Sequence, residues 1–190
     1  GEHSMAFETP YYETERREDA LDAFYSGERL RLTSPATGVI RVRATLGRDF
    51  SGRQWALSQT TGGDFTVTEA PDGALRVRSG GLTAVLDRSG VLSFEESATG
   101  ETLLSEPRPS RPFQRAGRTY APKSSDLWRA EVSFAPRHEH IYGLGQHQDG
   151  IFDRKGSTVE LFQRNTEVVI PFYYSTAGYA FLWNNPAIGR

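Results

Sequence analysis

Apolar and polar residues alternate with a period of two along much of this chain. Leu30 and Leu32 alternate with arginines, and the pattern returns at residues 39–44 after a turn at residues 35–38. Successive residues of a β-strand point to opposite faces of a sheet. The alternation therefore predicts strands that have one apolar and one polar face.

Similar short runs continue along the chain, separated by glycine, proline and aspartate residues that are typical of turns. They lie at residues 65–67, 75–77, 82–86, 91–94, 128–134, 158–162, 167–175 and 179–183. Leu21, Ala23 and Tyr25 also alternate, which favours a strand, although Leu21 and Phe24 have a helical spacing as well. Short strands at regular spacing, without a long helical pattern, predict an all-β fold: a two-sheet antiparallel β-sandwich with little helix.

Residues 106–125 interrupt this rhythm. They contain four prolines and no long apolar pattern, which predicts a loop without regular structure. Residues 1–5 are predicted to be an expression scar, residues 6–27 an N-terminal arm or first strand, and residues 28–190 the β-sandwich domain. A (β/α)₈ barrel needs about 250 residues of alternating strand and helix, so we do not expect one within these 190 residues.

The composition excludes several classes of function. The chain has no cysteine, which rules out disulfides, thiolate metal sites and a cysteine nucleophile. Its formal net charge is −2 and no basic stripe is present, so nucleic acid is not an expected partner. No apolar run approaches the roughly 18 residues of a membrane-spanning helix, so no membrane association is expected. The cellular compartment stays open.

The most informative segment is residues 141–186. It contains Tyr-Gly-Leu-Gly-Gln, then Asn-Thr-Glu, then Ile-Pro-Phe, then Gly-Tyr leading into Trp-Asn-Asn-Pro. In this order and spacing, the motifs resemble the end of the N-terminal domain of glycoside hydrolase family 31, which includes α-glucosidases, α-xylosidases and related transglycosylases. Residues 38–43 and 100–104 resemble earlier strands of the same domain, so the resemblance extends over residues 30–190.

The resemblance implies a galactose mutarotase-like β-sandwich that precedes a catalytic (β/α)₈ barrel. In this family two aspartates of the barrel carry out a retaining hydrolysis of α-linked sugars, one as nucleophile and one as acid and base. Both lie downstream of the segment resembled here, so we expect no catalytic residue in this chain and no activity of the chain alone.

The partners that the resemblance implies are the barrel itself, which this domain would brace, and an oligosaccharide substrate bound through the barrel. No cofactor and no metal ion is implied. An isolated domain of this kind is expected to self-associate through the surface that the barrel would cover.

The resemblance also implies a contribution to the rim of the sugar pocket. In the family, a loop between the Gly-Leu-Gly strand and the Pro-Phe strand folds over the barrel mouth, and here that loop is residues 146–170. Planar polar side chains suit sugar hydroxyls, and aromatic rings suit the apolar faces of pyranoses. The candidate rim residues are Gln146, His147, Arg164 and Asn165. Many family members carry an acidic residue where this chain has Gln146.

Two further motifs favour a structural role over a chemical one. Gly143 and Gly145 favour a glycine-relieved strand or bulge over a phosphate loop, because a third glycine and a following helix are missing. His138 and His140 favour solvated strand-end positions over a metal site, because no third ligand is evident.

The aromatic and arginine-rich runs have a structural interpretation too. Residues 172–174 and 181–183 are apolar on both faces and are predicted to be core strands, the alternative being a surface that a partner covers. Trp55 and Trp128 are predicted to be core anchors. Two arginine pairs at period-two spacing are expected to face solvent, namely Arg41 with Arg43 and Arg76 with Arg78.

Two other functions remain open from the sequence. A stand-alone carbohydrate-binding β-sandwich module would fit the aromatic content of 12%. A mutarotase-like enzyme would need a general acid and a general base that converge in one cleft. His138, Glu139 and His140 are too close along one segment to form such a cleft, which disfavours this last function.

Overall fold

A computed structural model of the chain describes residues 13–25, 27–46, 49–50, 57–108, 117–125, 127–161 and 167–185. These residues form two compact units, which meet in the sequence between Ala135 and Pro136. Both units consist of antiparallel β-sheets, and no helix occurs in the described part of the chain. The predicted all-β class is therefore confirmed.

The first unit begins with a four-stranded meander. Its strands are β1 (Glu13–Arg16), β2 (Ala20–Tyr25), β3 (Glu28–Thr33) and β4 (Arg41–Leu46), and neighbours in sequence are neighbours in the sheet. The strand predicted from the alternation of Leu21, Ala23 and Tyr25 is thus confirmed as β2, and the helical alternative is wrong.

A five-stranded meander follows in the same unit. It consists of β5 (Thr66–Glu69), β6 (Leu75–Ser79), β7 (Leu82–Leu86), β8 (Leu92–Glu96) and β9 (Thr102–Ser105). The turn before β6 contains Gly73, whose φ of 83° suits a residue without a side chain. These strands agree with the runs predicted from the sequence.

The two meanders share one apolar core, which makes the first unit a sandwich. In the four-stranded sheet, Leu32 lies opposite both Leu21 and Val42, so these side chains project to the same face. The buried cluster joins this face to the five-stranded sheet and consists of Leu21, Ala23, Leu30, Leu32, Leu75, Val77, Ala84, Leu86 and Leu92. The period-two pattern along β2, β3, β6 and β7 supplies eight of these nine residues, and the ninth, Leu92, begins β8.

A two-stranded hairpin completes the first unit. It pairs β10 (Arg118–Pro122) with β11 (Trp128–Val132). The expectation that residues 106–125 lack regular structure is therefore wrong for Arg118–Pro122. Proline is tolerated here because β10 has a partner strand on one side only, so Pro122 lies on an edge strand. Trp128 is 61% exposed and not a core anchor, while Trp55 lies outside the described residues.

A buried ion-pair network ties β10 to the rest of this unit. Arg118 donates hydrogen bonds to Glu28 at 3.1 Å, to Glu106 and to the carbonyl oxygen of Gly90 at 2.9 Å. Glu106 also accepts a hydrogen bond from the Leu92 amide at 2.9 Å. Burial raises the pKa of Glu106 above its usual value, against the lowering influence of the Arg118 charge.

The second unit contains a three-stranded sheet in the order β12 (Ile141–Gln146), β13 (Val168–Ser175) and β14 (Tyr179–Leu182). The last two strands lie where the sequence predicted them. The strand predicted at residues 158–162 is not found at residues 158–160, which connect β12 and β13 without regular structure, and Phe162 lies outside the described residues.

Candidate functional site

The Gly-Leu-Gly motif forms a β-bulge at the end of β12. The pairing with β13 shifts register between Gly143 and Gly145, and the φ angles of Gly143, Leu144 and Gly145 are 123°, 66° and 96°. A Cβ at Gly143 would lie 2.6 Å from the carbonyl oxygen of Phe172, and one at Gly145 would overlap that of Val168. The motif therefore needs glycine for both its backbone angles and its close strand approach. The predicted bulge is confirmed.

The bulge delivers Gln146 to the end of β12. Gln146 is exposed and lies directly opposite Val168 on β13. Residues that face each other across two strands project to the same side of the sheet. The amide of Gln146 is thus on the side of the sheet that carries the Val168 side chain.

His147 has a different environment. Its side chain is 7% exposed, and its Nε2 atom lies 2.8 Å from the carbonyl oxygen of Leu144. Its Nδ1 atom lies 4.0 Å from a carboxylate oxygen of Glu167. These contacts hold the imidazole against the bulge and against the residue that precedes β13. The other two candidate rim residues, Arg164 and Asn165, lie outside the described residues.

Two aspartates order the segment after His147, and one of them, Asp153, ties it to β12. Asp149 accepts a hydrogen bond from Arg154 at 2.5 Å, and Asp153 accepts one from the Ile141 amide at 3.0 Å and lies 2.5 Å from Nδ1 of His140. The hydrogen bond from His140 and those from backbone amides lower the pKa of Asp153 to about 2. His140 is thus a carboxylate partner at the start of the strand.

Glu139 is a buried carboxylate in this unit. It accepts hydrogen bonds from Lys155 at 3.0 Å, from Tyr179 at 3.0 Å and from Ser175. Burial alone would raise its pKa, but these three hydrogen bonds outweigh burial and hold the pKa below its usual value. Its acceptor capacity is used within the fold, so it does not have the open cleft that a mutarotase-like acid or base needs.

One side of the three-stranded sheet exposes a row of apolar side chains. We call this row the apolar face; it consists of Phe152, Val168, Ile170, Phe172, Tyr174 and Leu182, which are between 38% and 80% exposed. The row arises because β13 alternates between exposed and half-buried positions, and because Phe172 lies opposite Leu182. Tyr142 joins it through ring contacts with Phe152 and Tyr174, at centroid distances of 4.9 and 5.3 Å.

The prediction that residues 172–174 and 181–183 are core strands is therefore wrong for this face. The opposite side of the sheet carries Tyr173, Phe181 and Trp183, which are half-buried. Their rings form a row, with centroid distances of 5.3 and 6.4 Å and interplanar angles of 22° and 15°.

The structure also bears on metal ions and membranes. Within the described ranges, no three histidine, aspartate or glutamate side chains come together in a way that could hold a metal ion. The same part of the chain has no helix long and apolar enough to cross a membrane. Sequence patterns do not indicate the contacts of Asp153 with His140 and of Asp149 with Arg154, because the partners lie several residues apart and form no motif.

The chain was compared with known proteins and protein families. Residues 29–189 match the model of the glycosyl hydrolase 31 N-terminal galactose mutarotase-like domain. An uncharacterized family 31 glucosidase, ORF2 of Pseudescherichia vulneris, is 32% identical over an alignment of 190 positions, which covers 90% of this chain and 36% of that protein.

Two solved structures are similar in both sequence and fold. An α-xylosidase of the same family from a soil metagenome, complexed with xylose, is 33% identical with a TM-score of 0.85, over 93% of this chain and 28% of that one. An α-xylosidase from Xanthomonas citri is 31% identical with a TM-score of 0.72, over 92% of this chain and 19% of that one. The chain thus spans about a third or less of the length of these relatives.

Proposed function

Because the chain belongs to the family of glycosyl hydrolase 31 N-terminal galactose mutarotase-like domains, we propose that it is the accessory domain of a retaining α-glycosidase that acts on α-linked xylosides or glucosides. The similar proteins support this substrate class, since they are α-xylosidases and a glucosidase. The relatives are about three times as long as this chain or longer, which leaves ample length for a catalytic barrel.

The apolar face carries the proposal that this domain braces the barrel. Soluble monomers rarely expose a contiguous apolar row, and such a row marks an interaction surface. Phe172 and Tyr174 are 42% and 49% exposed although they lie mid-strand, where a core strand would bury them. A barrel packed on this face would bury these rings and hold the segment between β12 and β13 in place.

The position of Gln146 supports the second half of the proposal, a contribution to the sugar-pocket rim. Gln146 projects to the side of the sheet that carries the apolar face, at the end of β12. A residue at the border of a barrel-facing surface is well placed to reach a ligand in the barrel mouth. In this proposal His147 does not contact the ligand. It supports the bulge, since its ring nitrogens contact Leu144 and Glu167. Arg164 and Asn165 remain candidates from the sequence.

The bracing proposal is tested by the association state of the isolated chain. We expect light scattering to show concentration-dependent assembly, and the double variant Ile170→Thr with Phe172→Thr to shift the chain towards a monomer. Val39→Thr is the matched control, because Val39 is 46% exposed but belongs to the other unit. A wild-type chain that stays monomeric and binds no hydrophobic dye would contradict the proposal.

Activity assays test the assignment as an accessory domain. The isolated chain is expected to hydrolyse neither p-nitrophenyl α-xyloside nor p-nitrophenyl α-glucoside. In the enzyme that contains both domains, Gln146→Ala should raise the KM about two- to tenfold, the loss expected for one hydrogen bond. The control is Gln148→Ala, at an exposed position two residues further along the same segment, which should leave the KM unchanged. Turnover by the isolated chain would refute the proposal, and equal effects of the two variants would remove Gln146 from the rim.

A carbohydrate-binding module is the second candidate, and the exposed rings of Phe152, Phe172 and Tyr174 favour it. Aromatic rings with exposed faces can stack on the apolar faces of sugar units. Calorimetry with isoprimeverose, maltose and xyloglucan fragments separates the two functions. Saturable heat at millimolar sugar in the isolated chain would favour the module, and its absence would favour the accessory role.

A further inference from the structure

Five arginines lie on the side of the four-stranded sheet β1–β4 that faces away from the core. They are Arg17, Arg29, Arg31, Arg41 and Arg43. Since Leu21, Leu32 and Val42 face the core, the residues next to them in sequence project to the opposite side. The strand register places Arg31 directly opposite Arg43, and Thr33 directly opposite Arg41. Like charges directly opposite each other destabilise a sheet. Negative charge on this side of the sheet therefore reduces the repulsion between the arginines.

One buried carboxylate supplies part of that charge. Asp22 is fully buried and accepts hydrogen bonds from Arg29 at 2.6 and 3.0 Å, from Arg31 at 2.7 and 2.8 Å, and from Arg17 at 3.3 Å. Three guanidinium groups therefore share a single carboxylate. Glu15 and Asp49 lie at the outer edges, 3.3 Å from Arg17 and 3.6 Å from Arg29.

The ring of Phe50 helps to fix the guanidinium groups. Its centroid lies 4.8 Å from the guanidinium carbon of Arg31 and 4.6 Å from that of Arg43. Contacts of this kind hold arginine side chains in place. The Arg43 pKa is lowered by burial and by the charge of Arg31, and the Arg41 pKa by burial and by the charge of Arg43.

These side chains line a cleft of about 330 Å³ within the first unit. We call it the arginine cleft; its walls carry Arg17, Arg31, Arg41 and Arg43, with Asp19 and three threonines. This volume lies at the lower end of the range for small-molecule sites, about 300–1,000 Å³. The walls thus combine four cations with one carboxylate and several hydroxyls.

Thr33 is an independent sign of a ligand in this cleft. It is 7% exposed, lines the cleft, and its Oγ1 atom is buried without a hydrogen-bond partner among the described residues. A buried hydroxyl without a partner is costly, and such groups are rare in folded proteins. A bound acceptor in the cleft would satisfy the hydroxyl.

We propose that the arginine cleft is a binding site for a small oxyanion, the phosphate or carboxylate group of a low-molecular-weight ligand. Arginine forks bind pairs of such oxygens through charge-assisted hydrogen bonds. The Thr33 hydroxyl donates a hydrogen bond to a further oxygen of the ligand. The bound negative charge reduces the repulsion between Arg31 and Arg43, which lie opposite each other. The site belongs to the first unit, and its existence does not depend on the proposed glycosidase role.

Calorimetry and thermal unfolding at constant ionic strength test the proposal, with inorganic phosphate, glucose 6-phosphate, glucuronate and glucose as probes. We expect saturable heat and a concentration-dependent rise in Tm with at least one of the three anions, and neither with glucose. If glucose 6-phosphate binds more tightly than glucuronate, the ligand group is a phosphate ester. If glucuronate binds more tightly, the ligand group is a carboxylate. No binding of any anion at about 10 mM, or equal binding of glucose, would overturn the proposal.

Variants locate the site. Arg43→Gln should weaken the binding of the anion at least about tenfold. The control Arg78→Gln makes an equal charge change at an exposed position of β6 and should leave the affinity unchanged. Thr33→Val should raise the Tm of the chain without anion while also weakening anion binding. If Arg43→Gln is misfolded by circular dichroism, Thr33→Val alone decides. Unchanged affinity in Thr33→Val, or equal loss in Arg78→Gln, would place the anion elsewhere and overturn the proposal.

Discussion

Arg118 lies between two carboxylates that the fold has largely removed from water. The side chains of Arg118, Glu28 and Glu106 are 12%, 14% and 4% exposed. The variant Arg118→Met would leave both carboxylates without their cation, and breaking a buried ion pair typically costs about 3–5 kcal/mol. We expect the free energy of unfolding to fall by that amount, as measured by urea denaturation.

Arg129 provides the control for this prediction. It pairs with Glu131 on the exposed hairpin strand β11, and its side chain is 46% exposed. Exposed ion pairs contribute about 0–1 kcal/mol, so Arg129→Met should change the unfolding midpoint little. Comparable losses in the two variants would mean that burial does not set the strength of the Arg118 network.

At the scale of single residues, sequence patterning predicted apolar burial well and charged burial poorly. The alternation of Leu30 and Leu32 predicts a core face, and both residues are buried. Asp22 is fully buried as well, although an alternating pattern favours solvent for a charged residue. Its burial depends on arginines of neighbouring strands, which only the strand register brings to it. For the same reason Arg43, expected to face solvent, is half-buried beside Phe50.

The bulge in β12 is the element whose sequence requirement is most stringent. In Gly145→Ala, the new methyl group would overlap the carbonyl oxygen of Val168 and lie 2.9 Å from the Ile170 amide nitrogen. Neither neighbour is a flexible side-chain end, so β12 and β13 must separate locally. We expect a loss of at least about 3 kcal/mol of unfolding free energy, in the range of severe backbone defects. Faster amide exchange along β13 should accompany it.

Gly178 is the matched control for this substitution. It is in the same unit and has a φ of 93°, but a Cβ there would have no neighbour within 4 Å. Gly178→Ala therefore carries only the backbone cost of a left-handed residue, about 1–2 kcal/mol. Amide exchange of β13 in Gly178→Ala should stay near that of the wild type. If both variants lose equal stability, steric overlap at the bulge is not the cause.

At the scale of elements, the sequence could predict strands wherever alternation and turn residues agreed. The Gly-Leu-Gly bulge was predictable because glycine inside a strand is typical of a bulge or of a close backbone approach. The strand β10 was not, because Arg118–Pro122 has little apolar alternation and depends on pairing with β11 and on the buried ion pairs of Arg118. The candidate rim is predictable only in part, since Gln146 takes its direction from the register shift between Gly143 and Gly145.

For the molecule as a whole, the two units differ in how their carboxylates respond to acid. In the second unit the pKa values of Glu139, Asp149 and Asp153 are all lowered. A lowered carboxyl pKa stabilises the fold above the usual pKa of the group, and this contribution is lost as the pH falls through the folded-state value. For Asp153 this contribution is lost over the pH range from 3.8 down to about 2.

The first unit contains two opposing effects. The pKa of Asp22 is lowered, since hydrogen bonds from Arg31 and Arg29 outweigh the effect of its burial, whereas burial raises the pKa of Glu106. A raised carboxyl pKa destabilises the fold at neutral pH, and that cost is relieved as the pH falls through the raised value. Acid therefore removes the contribution of Asp22 and relieves the cost of Glu106, so the two changes partly cancel.

We expect the second unit to lose its structure at a higher pH than the first when the chain is acidified from pH 5 to pH 2. Amide resonances of β13 should weaken before those of β6 and β7 in heteronuclear NMR spectra recorded along the titration. The variant Asp153→Asn should destabilise the second unit at pH 7, because it removes the carboxylate that contacts His140, and should resemble the wild type near pH 2. Loss of both units at one pH, with no effect of Asp153→Asn at pH 7, would show that these carboxylates do not determine the acid stability of the second unit.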